Sequence, residues 1–111
     1  MNVAQSSTLV RDLRAGLSGR AITPADPGYD DMRVVFPGGV DRRPSIIVLP
    51  KNDADVRQTV TRVRDAGGEL AVRSGGHTIH CTTDDGVVLD LREMSGLAVD
   101  VVTDTAWAQT E

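Results

Sequence analysis

The hydrophobic residues of the chain fall into short groups whose spacing alternates between helical and extended. The first group has helical spacing and comprises Leu9, Val10, Leu13 and Leu17. This spacing predicts an amphipathic helix, for which Ser6 or Ser7 is the expected N-cap. Gly16 and Gly19 are expected to end it. The predicted N-terminal helix therefore lies within residues 1–20.

The next stretch, residues 21–44, is rich in residues that interrupt regular structure. It holds four of the five prolines and three of the eleven glycines of the chain. We therefore expect it to be mostly irregular. One short helical turn is predicted around Tyr29–Met32.

A strand and a helix are predicted to follow. Ser45–Leu49 is an apolar, β-branched run that stops at Pro50, which predicts a strand buried on both faces. Asn52 is the expected N-cap of the helix, and the carboxylates of Asp53 and Asp55 suit its first turn. The apolar stripe of this helix is predicted at Val56, Val60 and Val63.

The pattern then returns to extended segments. Gly67 and Gly68 are expected to end the helix, and Leu70–Val72 predicts a second strand. Strand, helix and strand within about thirty residues form a βαβ unit with parallel strands and a right-handed crossover. The turn residues Asp84–Gly86 precede a third predicted strand, Val87–Leu91. Two more strands are predicted at Leu97–Val102 and Thr105–Ala108.

Length and composition limit this α+β pattern to one small domain. The chain has 111 residues, of which 40% are hydrophobic and 25% charged, values typical of globular proteins. Only 3% are aromatic, so the core must be built from aliphatic side chains. There is no room for a second domain of ordinary size.

Charge and targeting signals disfavour several classes of protein. Acidic residues outnumber basic ones by 16 to 12, and the only adjacent basic pair is Arg42–Arg43. Nucleic-acid binding is therefore not expected. No apolar run approaches the roughly 20 residues of a membrane span, and the first residues do not resemble a secretory signal. The single cysteine, Cys81, excludes an internal disulfide and leads us to expect a cytoplasmic protein.

The segment with the clearest chemical potential directly follows the second predicted strand. It reads Arg73, Ser74, Gly75, Gly76, His77, Thr78. Ligands of open α/β sheets bind beyond the carboxyl ends of strands, and adjacent glycines let successive backbone amides surround an anion such as a pyrophosphate. The hydroxyl groups of Ser74 and Thr78 and the guanidinium of Arg73 could add donors. On residue types alone, a plain Gly-Gly turn remains an equal alternative.

This loop and several other motifs resemble one family in the same order. Arg73–His77 is similar to the flavin-attachment loop of berberine-bridge-enzyme-like FAD-linked oxidases. These belong to the vanillyl-alcohol-oxidase superfamily and have the PCMH-type FAD-binding fold. The other matching motifs are Asp26–Asp30, Asp41–Pro44, the strand ending at Pro50, Asp55–Val56 and Asp85–Leu91. The resemblance covers roughly residues 26–100, and several motifs in register are more specific than one glycine-rich loop.

The resemblance implies a cofactor and a role for each loop residue. FAD is the implied cofactor, and the segment from Arg73 through Ser74, Gly75, Gly76 and His77 to Thr78 would hold its pyrophosphate. His77 would be the site of covalent attachment, through a ring nitrogen to the 8α carbon of the flavin. A neutral imidazole is a nucleophile near pH 7. A role for His77 only in bonding a nearby carbonyl is the alternative.

The resemblance also implies a larger protein. The family continues for several hundred residues, so we expect residues 21–111 to be only the first lobe of a PCMH-type FAD-binding domain, preceded by the helix in residues 1–20. The complete relative would oxidise an alcohol, a sugar or a similar small molecule. Alone, this chain is expected to be inactive, to bind FAD weakly or not at all and to expose apolar surface. Cys81 and Tyr29 do not correspond to the attachment cysteine and the catalytic tyrosine of the family.

The sequence departs from the family after His77. The segment from Thr78 to Asp85 is about two residues shorter than usual and has lost a glycine. Its altered path would change the cradle along the pyrophosphate.

Two other functions remain open at the level of sequence. His77, His80 and Cys81 could contribute to a metal site, although zinc ligands usually come from two separate places in the chain. A chain with exposed apolar edges could instead be a non-catalytic module. Such a module would self-associate or pair with another chain that supplies the missing lobe.

Overall fold

A four-stranded sheet organises the structure, a computed structural model that describes residues 2–35 and 38–109. The helices and strands, in chain order, are α1 (Val3–Gly16), β1 (Arg20–Ile22), α2 (Tyr29–Arg33), β2 (Ile46–Leu49), α3 (Asp53–Asp65), β3 (Leu70–Arg73), β4 (Val87–Asp90), β5 (Leu97–Asp100) and β6 (Thr105–Ala108). Short 3₁₀ turns lie at Ile79–Cys81 and Leu91–Glu93.

The sheet has the strand order β1-β2-β4-β3. Strand β4 pairs in parallel with both β2 and β3, so the predicted βαβ unit is confirmed with β4 inserted between its two strands. Strand β1 pairs antiparallel with β2. The carboxyl ends of β3 and β4 lie side by side, because Arg73 is the register partner of Asp90.

The two faces of the sheet have separate apolar layers. Ile46, Val48, Val87 and Leu89 pack on one face against α1 and α3, while Ile47, Leu49 and Val88 pack on the other against α2. Every residue of β2 is buried, which confirms the predicted two-sided burial of this strand.

Helix α1 begins earlier than predicted. Its N-cap is Asn2, whose side chain accepts from the amide of Gln5, while the Gln5 side chain accepts from the amide of Asn2. The expected caps Ser6 and Ser7 are therefore wrong, and both lie inside the helix. These two reciprocal hydrogen bonds satisfy the backbone amides of Asn2 and Gln5. The helix therefore begins well before Leu9 and Val10, the first residues of the predicted apolar group.

Helix α3 has the predicted N-cap, Asn52, and two residues of its predicted stripe, Val56 and Val63, pack in the core. Its buried residues are Asp55, Thr59 and Val63, and the predicted stripe residue Val60 is exposed. The polar members of this face have partners: the Thr59 hydroxyl donates to the carbonyl of Asp55 at 2.8 Å. Hydrogen bonding allows polar residues into the interface where apolar spacing alone predicts valine.

Asp55 connects α3 to two backbone segments. Its carboxylate accepts from the amides of Ser18 at 3.0 Å, Gly19 at 2.9 Å and Lys51 at 2.9 Å. Gly19 also approaches β2 closely, since a Cβ there would stand 2.0 Å from the carbonyl oxygen of Leu49. The carboxylate thus holds the turn between α1 and β1 against the end of β2.

Further differences concern strand ends and one short strand. Strand β1 was not predicted, and it overlaps the start of the stretch that was expected to be mostly irregular. The short helix α2 confirms the helical turn predicted in that stretch. Strand β4 ends at Asp90 because the side chain of that residue caps the following 3₁₀ turn. Strand β5 ends at Asp100, whose carboxylate accepts from the amides of the next turn.

Strands β5 and β6 form an antiparallel hairpin apart from the main sheet. Every residue of both strands is exposed. The exposed large apolar side chains of this hairpin include Leu97, Val99, Val101, Val102 and Trp107. Among the described residues, no helix has the length and apolar character that crossing a membrane requires.

Candidate functional site

The predicted loop, residues 74–78, leaves the carboxyl end of β3 at the sheet edge where β4 also ends. Ser74, Gly75, His77 and Thr78 are exposed, and Gly76 is buried. A ligand can therefore reach most of the loop, while its centre is held against the protein.

The local geometry favours glycine at position 76 and brings His77 close to Gly75. Gly76 has a φ of +75°, in the left-handed region that glycine adopts without a steric penalty. A Cβ on Gly75 would stand 2.5 Å from Cδ2 of His77, so the imidazole lies against the glycine. The backbone hydrogen bonds made by described residues outside helices and strands do not use the amides of Ser74, Gly75 or Gly76. Consecutive amides in this arrangement suit an anion.

Arg73 lies beneath this turn with its side chain only 13% exposed. Its Nη1 donates to the carbonyl of Met32 at 2.9 Å, and its Nε is 3.8 Å from Oδ2 of Asp90. Its Nη2 faces Gly76, where a Cβ would stand 2.9 Å from it. The guanidinium therefore supports the glycine turn from the sheet side.

Asp90 is the residue of this site that the sequence did not reveal. It is fully buried, and its two carboxylate oxygens accept from Nε of Arg92 at 3.0 Å each. Oδ2 also accepts from Nη2 of Arg92 at 2.7 Å. One carboxylate thus faces two guanidinium groups. The signal in the sequence is an aspartate that directly follows the three apolar residues of a buried strand.

The segment after the loop is held from another side. Nη1 of Arg42 donates to the carbonyls of Ile79 and Thr82, both at 3.2 Å. The Cys81 thiol is buried and donates to the carbonyl of Thr78 at 2.9 Å. Residues 79–81 therefore form a 3₁₀ turn that the Arg42 side chain holds at both ends.

The alternative of a metal site receives no geometric support. His80 is exposed on the 3₁₀ turn, whereas the thiol of Cys81 is buried and bonded to a carbonyl. Within residues 2–35 and 38–109, no three His, Cys, Asp or Glu side chains stand close enough together to bind a metal ion. His77, His80 and Cys81 therefore do not form a ligand set.

Sequence comparisons find several FAD-linked relatives. The chain is 38% identical over 86 residues to the (R)-6-hydroxynicotine oxidase of Paenarthrobacter nicotinovorans, covering 76% of this chain and 19% of that protein. It is 36% identical over 73 residues to berberine bridge enzyme-like D-1 of Nicotiana tabacum, covering 60% and 13%. The chain thus spans about a fifth or less of the length of these relatives.

Solved structures have the same fold. The 6-hydroxy-D-nicotine oxidase of Arthrobacter nicotinovorans superposes with a TM-score of 0.78 at 36% identity, over 82% of this chain and 20% of that one. A glucooligosaccharide oxidase of Acremonium strictum, which carries a 6-S-cysteinyl, 8α-N1-histidyl FAD, gives 0.76 at 24% identity, over 88% and 21%. These similarities confirm the α+β, PCMH-type fold.

A family model of the FAD binding domain matches residues 44–110, which are 67 of the 111 residues. The matched range begins just before β2 and includes α3, β3, the glycine loop and β4. FAD is therefore the cofactor of this family, as the resemblance implied. The chain belongs to the FAD binding domain family.

Proposed function

We propose that this chain supplies the pyrophosphate-binding lobe of an FAD-linked oxidoreductase, in which residues 74–78 contact the cofactor. The observation that carries the proposal is the turn Gly75–Gly76–His77 at the carboxyl end of β3. The backbone hydrogen bonds of neighbouring turns do not use the amides of Gly75 and Gly76, and Gly76 has a positive φ. When bound, the flavin would accept a hydride from an alcohol, a sugar or a similar small molecule.

The glycines of the loop and the charges beside it suit a diphosphate. A Cβ at position 76 would stand 2.9 Å from the Arg73 guanidinium on a backbone of positive φ, which favours glycine there. The hydroxyls of Ser74 and Thr78 are on exposed residues next to the same amides. Arg73 and Arg92 together outweigh the single carboxylate of Asp90 by one positive charge, which favours an anion at this edge.

FAD should shift the amide resonances of this loop, whereas riboflavin should not, because riboflavin lacks the pyrophosphate. The experiment is a titration of the 111-residue chain followed by two-dimensional NMR. Gly76→Ala should weaken FAD binding about tenfold, since its Cβ meets Arg73 and its φ becomes strained. Gly67→Ala is the matched control. That glycine has a φ of +68°, but no described atom lies within 4 Å of its Cβ position.

Equal shifts with riboflavin and FAD would contradict the pyrophosphate role of the loop. Equal loss of affinity in Gly67→Ala and Gly76→Ala would trace the effect to backbone strain in general. Either result would overturn the assignment of the loop.

We propose His77 as the attachment point of the flavin once both halves of an FAD domain surround it. The new bond would join a ring nitrogen of His77 to the 8α carbon. Each atom would lose a proton, and the two electrons released would pass through the flavin to dioxygen. Because this chain spans about a fifth of the length of its relatives, we expect it to release its flavin on denaturation.

Trypsin and mass spectrometry test this expectation, since cleavage after Arg73 and Arg92 gives one peptide, residues 74–92, that holds His77 together with His80 and Cys81. That peptide should have its unmodified mass. Flavin retained on it would contradict the expected release, and flavin on any other peptide would contradict the choice of His77.

Two further properties belong to this proposal. The single cysteine, buried as a thiol, is compatible with a reducing cytoplasm.

The alternative of an interaction module is supported by the exposed apolar hairpin of β5 and β6. Light scattering of the 111-residue chain distinguishes it, because a strictly monomeric chain would exclude self-association through this surface.

A further inference from the structure

We infer that Asp90 is a positioning residue for the loop 74–78, acting through Arg73. The identity of the ligand rests on the proposed function, whereas the control of the loop by Asp90 rests on the contacts within the chain. Asp90 lies at the end of β4. Among the described residues, its hydrogen bonds are with Arg92 and none is with the loop. Its influence must therefore pass through another side chain.

The connection runs from the carboxylate to the glycine turn in two steps. Oδ2 of Asp90 is 3.8 Å from Nε of Arg73, and the carbonyl of Met32 accepts from Nη1 of the same guanidinium. The Met32 carbonyl fixes one corner of the planar guanidinium by a hydrogen bond, and the Asp90 carboxylate attracts a second corner across an ion-pair distance. The third corner, Nη2, then lies against Gly76. A rigid fork held at two corners determines where its third corner stands.

Arg92 makes this arrangement possible in a buried place. A carboxylate without partners at 0% exposure would cost several kcal/mol in the folded state. Arg92 engages both oxygens of Asp90 with its side chain and one with its backbone amide. The charge is thereby compensated, and Arg73 is drawn to the carboxylate as the second cation.

The consequence for the loop follows from the position of Gly76. This residue is the buried centre of the turn, and the Arg73 guanidinium covers it. If Asp90 is lost, Arg73 keeps only its hydrogen bond to the Met32 carbonyl, and its guanidinium can rotate away from Gly76. The backbone of residues 74–77 then becomes more mobile.

The test compares backbone order of the loop in Asp90→Asn with the wild-type chain, both free of FAD. NMR order parameters of Gly75, Gly76 and His77 should fall from values typical of rigid backbone to below about 0.6. Those of β2, which lies outside the cluster, should not change. Loop order equal to wild type in a folded Asp90→Asn chain would overturn the inference.

Two other variants complete the test. Arg73→Lys keeps the charge but has no fork to hold both Asp90 and Met32, so it should loosen the loop as Asp90→Asn does. It keeps the inference falsifiable if Asp90→Asn does not fold. Glu93→Gln is the matched control, because it removes a nearby carboxylate that pairs with Arg20 outside this cluster. A loop as mobile in Glu93→Gln as in Asp90→Asn would overturn the assignment.

FAD titration separates this inference from the proposed function. We expect Asp90→Asn to raise the FAD dissociation constant about tenfold. A wild-type chain that shows no FAD-induced shift in the loop contradicts the proposed function, while the order parameters still decide the role of Asp90. A loosened loop with unchanged FAD affinity would overturn the positioning role in binding.

Discussion

Asp90→Ala is expected to lower the free energy of unfolding by about 4 kcal/mol. The substitution leaves Arg73, whose side chain is only 13% exposed, and Arg92 close together without the carboxylate between them. Removing one partner of a buried ionic group costs more than the pair contributes, because the remaining charge is left uncompensated in a place of low polarity. The loss should be measured as a lower midpoint of urea unfolding.

Glu93→Ala is the control for this prediction. Its carboxylate also pairs with an arginine, Arg20, but at the surface, where such pairs contribute about 1 kcal/mol or less. A similar loss in the two variants would show that the burial of Asp90 is unimportant. An unchanged midpoint in Asp90→Ala would contradict the structure of the cluster itself.

Asp55→Asn is expected to cost about 3 kcal/mol at neutral pH, because three backbone amides converge on a carboxylate that is 2% exposed. An amide side chain presents one oxygen in place of two and turns its own N–H groups toward these donors. Asp53→Asn is the matched control, since Asp53 occupies the same first turn but is exposed.

The effect should depend on pH in a defined direction. Burial raises the pKa of Asp55, but the hydrogen bonds from the amides of Lys51, Ser18 and Gly19 outweigh it, so the pKa lies below its usual value of 3.8. The carboxylate therefore stabilises the fold fully above that value and loses its contribution as the pH falls through the lowered pKa. The difference between wild type and Asp55→Asn should shrink below about pH 4. A constant difference from pH 7 to pH 2 would contradict the role of the charge.

The sequence was sufficient where a local pattern determines the structure. Asn52 caps α3 as predicted, and the apolar run before Pro50 forms a strand buried on both faces. Neighbouring residues alone indicated both features. The resemblance to FAD-linked oxidases rested on the same kind of local motif and agrees with the family of the chain.

The sequence was insufficient where distant backbone satisfies a polar group. Asp55 suited the first turn of a helix, but it is buried because amides 36 and 37 positions away bond to it. Asp90 was included only as part of a strand, since its partner Arg73 is brought beside it by the pairing of β3 with β4. Polar residues of this kind are recognised only when the fold has placed their partners.

The central position of β4 also has a consequence for the order in which the chain can fold. Strands β2 and β3 lie on either side of β4 and do not pair with each other. During synthesis, β1 and β2 can pair early, but β3 has no neighbour until residues 87–90 have left the ribosome. Completion of the sheet must therefore wait for its last strand, and non-local pairing of this kind is intrinsically slow.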